Sequence, residues 1–113
     1  MNYRVKELLL EDGNCPFTQW FESLDSVAAA KVRVAVGRIE QGNLSNVEWF
    51  RGVGEYKIHW GPGLRIYLGK DGLKVIILIG GGVKKRQQQD IDQAVALWRN
   101  YKRRKASTVQ GKE

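Results

Sequence analysis

Cysteine and histidine are almost absent from this sequence. Cys15 and His59 are the only residues of their types, so no internal disulfide can form and no convincing zinc site can be assembled. No apolar run approaches the roughly 20 residues needed to cross a bilayer. The N-terminus also lacks the apolar stretch of a secretory signal peptide. We therefore expect a soluble protein of the reducing cytoplasm that holds no metal ion.

The sequence also lacks the usual cofactor-binding loops. Gly52-Val53-Gly54 and Gly80-Gly81-Gly82 match neither a Walker loop nor a dinucleotide fingerprint, because no βαβ unit follows them. The serines have no histidine near them in sequence, which argues against a Ser-His-Asp hydrolase. We expect no cofactor.

Acidic residues are scarce. Twelve Asp and Glu stand against 19 Lys and Arg, which gives a formal net charge of +7 over 113 residues. The segment from Lys84 onward has nine Lys and Arg against three acidic residues, and so carries +6. Such asymmetry favours a polyanionic partner, either nucleic acid or an acidic protein. The alternative is a basic helix and tail that are simply solvated.

Hydrophobic periodicity predicts an α+β protein with the order βααβββα. Residues 3–9 alternate as a strand does, and amphipathic stretches that begin near Pro16 and Ser26 predict two helices packed as a hairpin on an antiparallel sheet. Residues 43–54 are polar and contain glycine, which predicts a loop.

The C-terminal third predicts a central strand followed by a basic helix. Residues 75–79 are apolar on both faces, and the glycine run after them is expected to end the strand. Asp90 is expected to begin a helix whose buried stripe comprises Ile91, Ala94, Val95, Trp98 and Tyr101. The prediction is one domain over residues 1–102 and a basic, flexible tail over residues 103–113.

The centre of the chain predicts a β-hairpin. Residues 55–60 and 64–68 alternate on either side of Gly61-Pro62-Gly63, which is expected to form a three-residue turn. Because side chains alternate between faces with a period of two, one face is polar and the other is apolar and covers the helices. The polar face is expected to hold two cross-strand pairs, His59 with Arg65 and Lys57 with Tyr67.

Three basic groups and a tyrosine on one face form a candidate anion site. Lys84 follows the next strand and is expected to reach the same groove. When a ribose 2′-hydroxyl attacks the adjacent phosphorus, negative charge builds on the phosphoryl oxygens, and fixed Lys and Arg groups stabilise it without a metal. Lys57 and His59 are the candidates for the base that takes the hydroxyl proton. The alternative is a sheet face that is merely solvated.

Two blocks of sequence carry a family resemblance. They are residues 55–67 (EYKIHWGPGLRIY) and residues 79–94 (IGGGVKKRQQQDIDQA), and Phe17, Trp20 and Gln41-Gly42-Asn43 fit the same pattern. In these features the chain resembles the RelE/ParE superfamily of toxins from bacterial type II toxin–antitoxin modules. Within it, the chain is most similar to the HigB-like addiction module killer protein branch. The resemblance spans about residues 3–102.

The resemblance implies a small fold with two helices on an antiparallel sheet and, for RelE-type members, metal-independent cleavage of mRNA in the ribosomal A site. By position, it implies catalytic roles for Lys57, His59, Arg65 and Lys84. Arg86 is an alternative to Lys84. RelE itself carries a tyrosine a few residues further on, where this chain reads QQQDI. Tyr67 and Asp90 are therefore additional candidates, although Asp90 is alternatively a helix N-cap.

We expect a toxin that inhibits translation on the ribosome and is neutralised by a cognate antitoxin. The basic C-terminal segment is expected to bind RNA through Lys85, Arg86, Arg99, Lys102, Arg103, Arg104 and Lys105. Two alternatives stay open. ParE-type members poison DNA gyrase instead of cutting RNA, and a basic chain can also be an interaction module without catalysis.

Overall fold

The computed structural model describes residues 2–111 as an α+β structure, which confirms the predicted class. Its elements, in chain order, are β1 (Arg4–Glu7), α1 (Pro16–Glu22), α2 (Ser26–Glu40), β2 (Glu48–Phe50), β3 (Val53–Ile58), β4 (Leu64–Asp71), β5 (Val75–Val83) and α3 (Gln87–Gly111). A short 3-10 helix, Lys84–Arg86, joins β5 to α3. The order contains one strand more than predicted.

The five strands form one mixed sheet in the order β1-β5-β4-β3-β2. β2 to β5 pair antiparallel, but β1 pairs with β5 in parallel, so the prediction of an antiparallel sheet is wrong at that edge. The segment with α1 and α2 carries the chain from one edge of the sheet to the other, which leaves β1 beside the last strand. The alternation of apolar and polar residues along one strand does not indicate which strand pairs with it or in which direction.

Each face of the sheet buries its own hydrophobic cluster. On the first face, α1 and α2 cover the apolar side of the β3–β4 hairpin, as predicted. On the second face, α3 packs against β3, β4 and β5. The α3 residues buried there are Ile91, Ala94, Val95 and Trp98, with Tyr101 partly buried beside them. The hairpin face that was predicted to be polar therefore lies beneath a helix.

Strand β2 lies inside the segment that was predicted to be a loop. Phe50 pairs with Val53, so only Arg51 and Gly52 form the turn between β2 and β3. Both residues have positive φ, at 51° and 89°, as a two-residue hairpin turn of type I′ requires. A three-residue strand is too short to give a periodic signal, which is why the sequence pattern did not indicate it.

Strand β5 does not end at the glycine run but continues to Val83, with a β-bulge opposite Tyr67 and Leu68. Trp20 of α1 lies over Gly81, and the Asp90 side chain lies over Gly82. A methyl group at either glycine would overlap these side chains. The glycines therefore allow α1 and α3 to approach the sheet closely, instead of ending the strand.

Helix α3 begins at Gln87, so Asp90 lies in its first turn and is not its N-cap. The helix continues past the predicted boundary between residues 102 and 103 as far as Gly111. Residues 112 and 113 of the predicted tail lie outside the described residues. No helix within residues 2–111 combines the length and the apolar character that a membrane span requires.

Candidate functional site

The β3–β4 hairpin has a longer turn than predicted. Ile58 pairs with Leu64, so the turn covers residues 59–63, and Lys57 lies opposite Arg65 instead of Tyr67. The backbone N–H of Gly63 closes the turn by donating to the carbonyl of Trp60 at 3.0 Å. Because the pairing differs from the prediction by two residues, the face of each paired side chain is unchanged.

On the second face of the sheet, acidic and basic side chains form two adjacent rows. Glu48 lies opposite Glu55, and in the next row Lys57 lies opposite Arg65. Like charges that face each other across strands repel, and diagonal contacts of opposite charge offset this repulsion. The Nζ of Lys57 bonds the Glu48 carboxylate and lies 4.0 Å from Oε1 of Glu55. The Nε of Arg65 lies 3.7 Å from Oε2 of Glu55.

Glu55 is at the centre of this cluster and was not among the predicted site residues. Its side chain is 0% exposed. The carboxylate accepts hydrogen bonds from the Tyr67 hydroxyl at 3.1 Å and from Nε2 of Gln87 at 3.0 and 3.1 Å. A buried carboxylate is costly unless it is paired and hydrogen-bonded, and Glu55 has both kinds of partner. A signal was present, since the alternation that places Lys57 on this face also places Glu55 there.

Arg65 is buried instead of open to solvent, with a side chain that is 7% exposed. Its Nη1 donates to the carbonyl of Gly63 at 2.7 Å, while its buried Nε has no hydrogen-bond partner among residues 2–111. The same carbonyl accepts from the backbone N–H of Lys84 at 3.0 Å. Gly63 therefore links the hairpin turn to the end of β5 and brings Arg65 and Lys84 together.

His59 lies apart from Arg65, so the predicted pair of these residues is wrong. It is exposed in the turn, beyond the last paired residue of β3. The groove beside it runs along α2 and contains two further basic residues, Lys31 and Arg38. The predicted basic face thus divides into a buried part around Arg65 and an exposed part around His59.

Tyr67 is buried beneath α3 and donates its hydrogen bond to Glu55. Burial, and after it the negative charge of Glu55, raises the pKa of the Tyr67 phenol above its usual range. The phenol therefore stays protonated at neutral pH. It serves here as a hydrogen-bond donor and not as a proton acceptor.

Asp90 lies in a cleft between α1 and α3 that Tyr67 also lines. Desolvation raises the pKa of the Asp90 carboxyl, and the nearby Arg86 guanidinium opposes this shift. Asp90 is thus a partly buried acid near the end of β5, where it lies against Gly82. The N-cap alternative for Asp90 is wrong, because Asp90 lies inside the first turn of α3, and its acid–base role stays a prediction.

The predicted RNA-binding residues form two groups. Lys85 and Arg86 are exposed beside Lys84, at the end of the sheet that holds Arg65. The second group lies further along α3 and comprises Arg99, Lys102, Arg103, Arg104 and Lys105. A helix rises about 1.5 Å per residue, so roughly 30 Å of helix separates Arg86 from the last of these residues. The residues predicted to bind RNA therefore lie on two separate stretches of the chain, and their RNA binding stays a prediction.

The second basic group is tied to the opposite end of the sheet. The Nζ of Lys105 lies 2.5 Å from Oδ1 of Asp71, at the end of β4. The Nη2 of Arg104 donates to the backbone carbonyl of Leu9 at 3.3 Å. Residues beyond the predicted domain boundary thus contact the body of the domain.

The chemistry available at the candidate site is that of cations and proton donors. Within residues 2–111, no group of three His, Cys, Asp or Glu side chains is placed to hold a metal ion. The site offers an exposed ammonium (Lys84), a buried guanidinium (Arg65), an exposed imidazole (His59) and a partly buried carboxyl group (Asp90). Arg65 and Lys84 lie together at Gly63, whereas His59 lies in the separate groove along α2 and Asp90 lies in the cleft lined by α1 and α3.

The fold and this cluster define an α+β protein with a buried Glu–Arg pair and two basic surfaces. The chain is 34% identical over 83 residues to an uncharacterized protein of Haemophilus influenzae (strain ATCC 51907 / DSM 11121 / KW20 / Rd). The match covers 72% of this chain and 84% of that protein, and the chain belongs to the same family. No protein-family model matches the chain. No solved structure matches it.

Proposed function

We propose that this protein is a ribosome-dependent, metal-independent mRNA endonuclease that acts as the toxin of a toxin–antitoxin module. The observation that carries the proposal is that the Arg65 guanidinium and the backbone N–H of Lys84 both bond the carbonyl of Gly63, with Lys57 paired opposite Arg65. At these positions the chain resembles RelE-type toxins. The packing of α1 and α2 on one face of the sheet supports a RelE-like fold for the same chain.

The reaction needs positive charge and proton transfer at one phosphate. The ribose 2′-oxygen loses a proton and attacks phosphorus, the bond to the 5′-oxygen breaks, and that oxygen gains a proton. Lys84 is exposed and binds the phosphoryl oxygens, while Arg65 adds a fixed charge from beneath. His59 in the turn and Asp90 beside Gly82 are the groups assigned to proton exchange.

The two glutamates have different roles in this proposal. Glu55 is fully buried and holds Arg65 and Lys57 in place before substrate arrives. The Glu48 side chain is 53% exposed, so a substrate phosphate can compete with it for the Lys57 ammonium. RNA binding is therefore expected to move Lys57 from Glu48 to phosphate, while Glu55 keeps its partners.

The partners follow from this activity. They are the ribosome, its bound mRNA and a cognate antitoxin protein, all in the cytoplasm. The two basic surfaces provide contacts to RNA backbone phosphates, and affinity for the ribosome should fall steeply as salt concentration rises.

A second candidate function is a ParE-type poison of DNA gyrase without nuclease activity. The burial of Arg65 favours it, because a guanidinium held by Glu55 and by a backbone carbonyl also suits a purely structural role. The third hypothesis is a basic interaction module without catalysis, in which only the exposed residues of α3 would contact the partner.

The test is brief induced expression in bacteria, with mapping of new 5′ ends on cellular mRNA. Wild type is expected to produce cuts within translated sequences. The Arg65→Ala, Lys84→Ala double variant is expected to lose these cuts together with growth arrest. Because Arg65 is buried, the exposed single variant Lys84→Ala is tested beside it and should lower cleavage without affecting the fold.

The matched control is the Arg4→Ala, Lys74→Ala double variant. Like the test variant, it removes one arginine and one lysine, but from exposed positions at the opposite end of the sheet, where β1 and β5 begin. It should cut as wild type does. If wild type arrests growth while mRNA stays intact and DNA is damaged, the result would favour a gyrase poison. If the control variant also loses cleavage, the assignment of the site to Arg65 and Lys84 would be wrong.

A further inference from the structure

A cleft of about 330 Å³ lies at the edge of the sheet, where α1 on one face and α3 on the other flank the glycine run of β5. Its volume is at the lower end of the range of about 300 to 1,000 Å³ in which proteins bind small ligands. Trp20 forms one wall, and Asp90 and Gln93 of α3 form another. The cleft therefore has room for one planar group between an aromatic ring and hydrogen-bonding side chains.

Gly80, in the floor of this cleft, has no packing reason to be glycine. The space above Gly81 and Gly82 is filled by Trp20 and Asp90, but nothing lies within 4 Å of the position where a Cβ of Gly80 would be. Its φ is not positive, so the backbone does not require glycine either. The missing side chain leaves this part of the cleft open.

The polar groups around the cleft determine what kind of planar ligand fits. An ionised Asp90 carboxylate only accepts hydrogen bonds, so it selects a ligand that presents N–H donors. Arg86 lies close enough to Asp90 to act on it electrostatically, and Lys84 and Lys85 are exposed in the same 3-10 helix. The 3-10 helix therefore places positive charge near Asp90, outside the lining of the cleft, where it suits a phosphate attached to the ligand.

We propose that this cleft binds one nucleobase with an exocyclic amino group, which stacks near Trp20 and donates to Asp90. The inference rests on the proposed function for its substrate class, RNA, and deepens it by giving the enzyme a base preference. Stacking on an aromatic side chain and hydrogen bonding to a base edge are the usual means by which proteins recognise single-stranded RNA. At C4 cytosine presents an amino donor, whereas uracil presents a carbonyl oxygen that the Asp90 carboxylate repels, so the cleft should favour cytosine.

The test is an NMR titration of the full ¹⁵N-labelled chain with CMP and UMP, which differ in the group at C4 and in whether N3 accepts or donates a hydrogen bond. CMP should shift the resonances of the Gly80 and Gln93 amides and of the Trp20 indole N–H. CMP should bind roughly tenfold more tightly than UMP, the value of one hydrogen bond to a charged group. Asp90→Asn should abolish this preference, because a carboxamide can also donate to uracil.

A second variant fills the cleft. Gly80→Val adds a β-branched side chain to a strand at a position with free space, and it should lose CMP binding by at least roughly tenfold with its fold intact. Gly37→Ala, at a position on α2 that is also open, is the control and should bind CMP as wild type does. Equal binding of CMP and UMP, or shifts confined to residues 84–86, would mean phosphate binding alone and would overturn the proposal.

The titration needs no ribosome, so its outcome is separate from that of the cleavage experiment. A chain that cuts mRNA but binds CMP and UMP equally would contradict only the base-binding cleft. A chain that prefers CMP but leaves cellular mRNA intact would contradict only the nuclease.

Discussion

Two carboxylates on the second face of the sheet have the same kinds of partner but different burial. Glu55 accepts a hydrogen bond from Tyr67 at 3.1 Å and lies 3.7 Å from Arg65. At the other end of the sheet, Asp71 accepts one from Tyr101 at 2.7 Å and bonds Lys105. The Glu55 side chain is 0% exposed, whereas that of Asp71 is 21% exposed. Helix α3 contacts both carboxylates, one near each of its ends.

This difference shows which of the two clusters the fold depends on. Water screens the Asp71 pair, so it contributes little and fastens the end of a helix that other contacts already place. Water cannot replace a lost partner of Glu55, so each member of that cluster requires the others. A fixed, dry arrangement of charges is also what transition-state stabilisation requires. The buried cluster is therefore the better candidate for an active centre.

The largest expected effect comes from removing the buried carboxylate. Glu55→Ala leaves Arg65 buried without its counter-charge and should lower the free energy of unfolding by about 3–5 kcal/mol. Urea denaturation followed by circular dichroism measures this loss. Asp71→Ala is the matched variant at the exposed end, and its cost should stay below about 1 kcal/mol. Equal losses in the two variants would mean that burial does not separate the clusters.

The two tyrosines provide a smaller version of the same contrast. Tyr67→Phe removes the hydroxyl that donates to the buried Glu55 and should cost about 1.5–3 kcal/mol, as for hydrogen bonds to charged groups. Tyr101→Phe removes the equivalent donor to Asp71, where water takes its place, and should cost about 0.5–1 kcal/mol. Both values come from urea unfolding of variants that differ from wild type by a single oxygen atom. A larger loss for Tyr101→Phe would reverse the comparison.

Much of the fold could be predicted from periodicity. The stripes of α1, α2 and α3 and the two faces of the β3–β4 hairpin follow from spacings of 3.6 and 2 residues, which one stretch of sequence reveals by itself. The features that were wrong depend on distant parts of the chain. The parallel partner of β1 is 71 residues away in sequence at Arg4 and Val75, and the glycines of β5 stay in a strand because they pair with β4.

The candidate site was predictable in its residue types but not in their environments. Alternation places Lys57 and Arg65 on one face, yet it does not reveal that α3 covers that face. Burial is a property of the assembled fold, and it decides which charged group needs a counter-charge. Glu55 stands in the sequence beside the residues that were singled out, and only its lack of exposure distinguishes it from a surface glutamate.

The smallest expected effect concerns pH and sharpens the contrast between the two ends of the sheet. Hydrogen bonds from Lys105 and then Tyr101 lower the pKa of Asp71 from its ordinary 3.8, whereas desolvation raises that of Asp90. Asp71 therefore contributes stability above its unfolded-state pKa, and this is lost as pH falls through its lower folded-state value. Asp90 has the opposite sign, since its penalty disappears on acidification, and each contribution should be below about 1 kcal/mol. Carboxyl ¹³C NMR between about pH 2 and 6, a range that brackets ordinary Asp values, should find the Asp71 midpoint below the Asp90 midpoint.

Lys105→Ala should raise the Asp71 midpoint and leave that of Asp90 in place. A common midpoint for both groups would show that the two ends present the same environment to a carboxyl group.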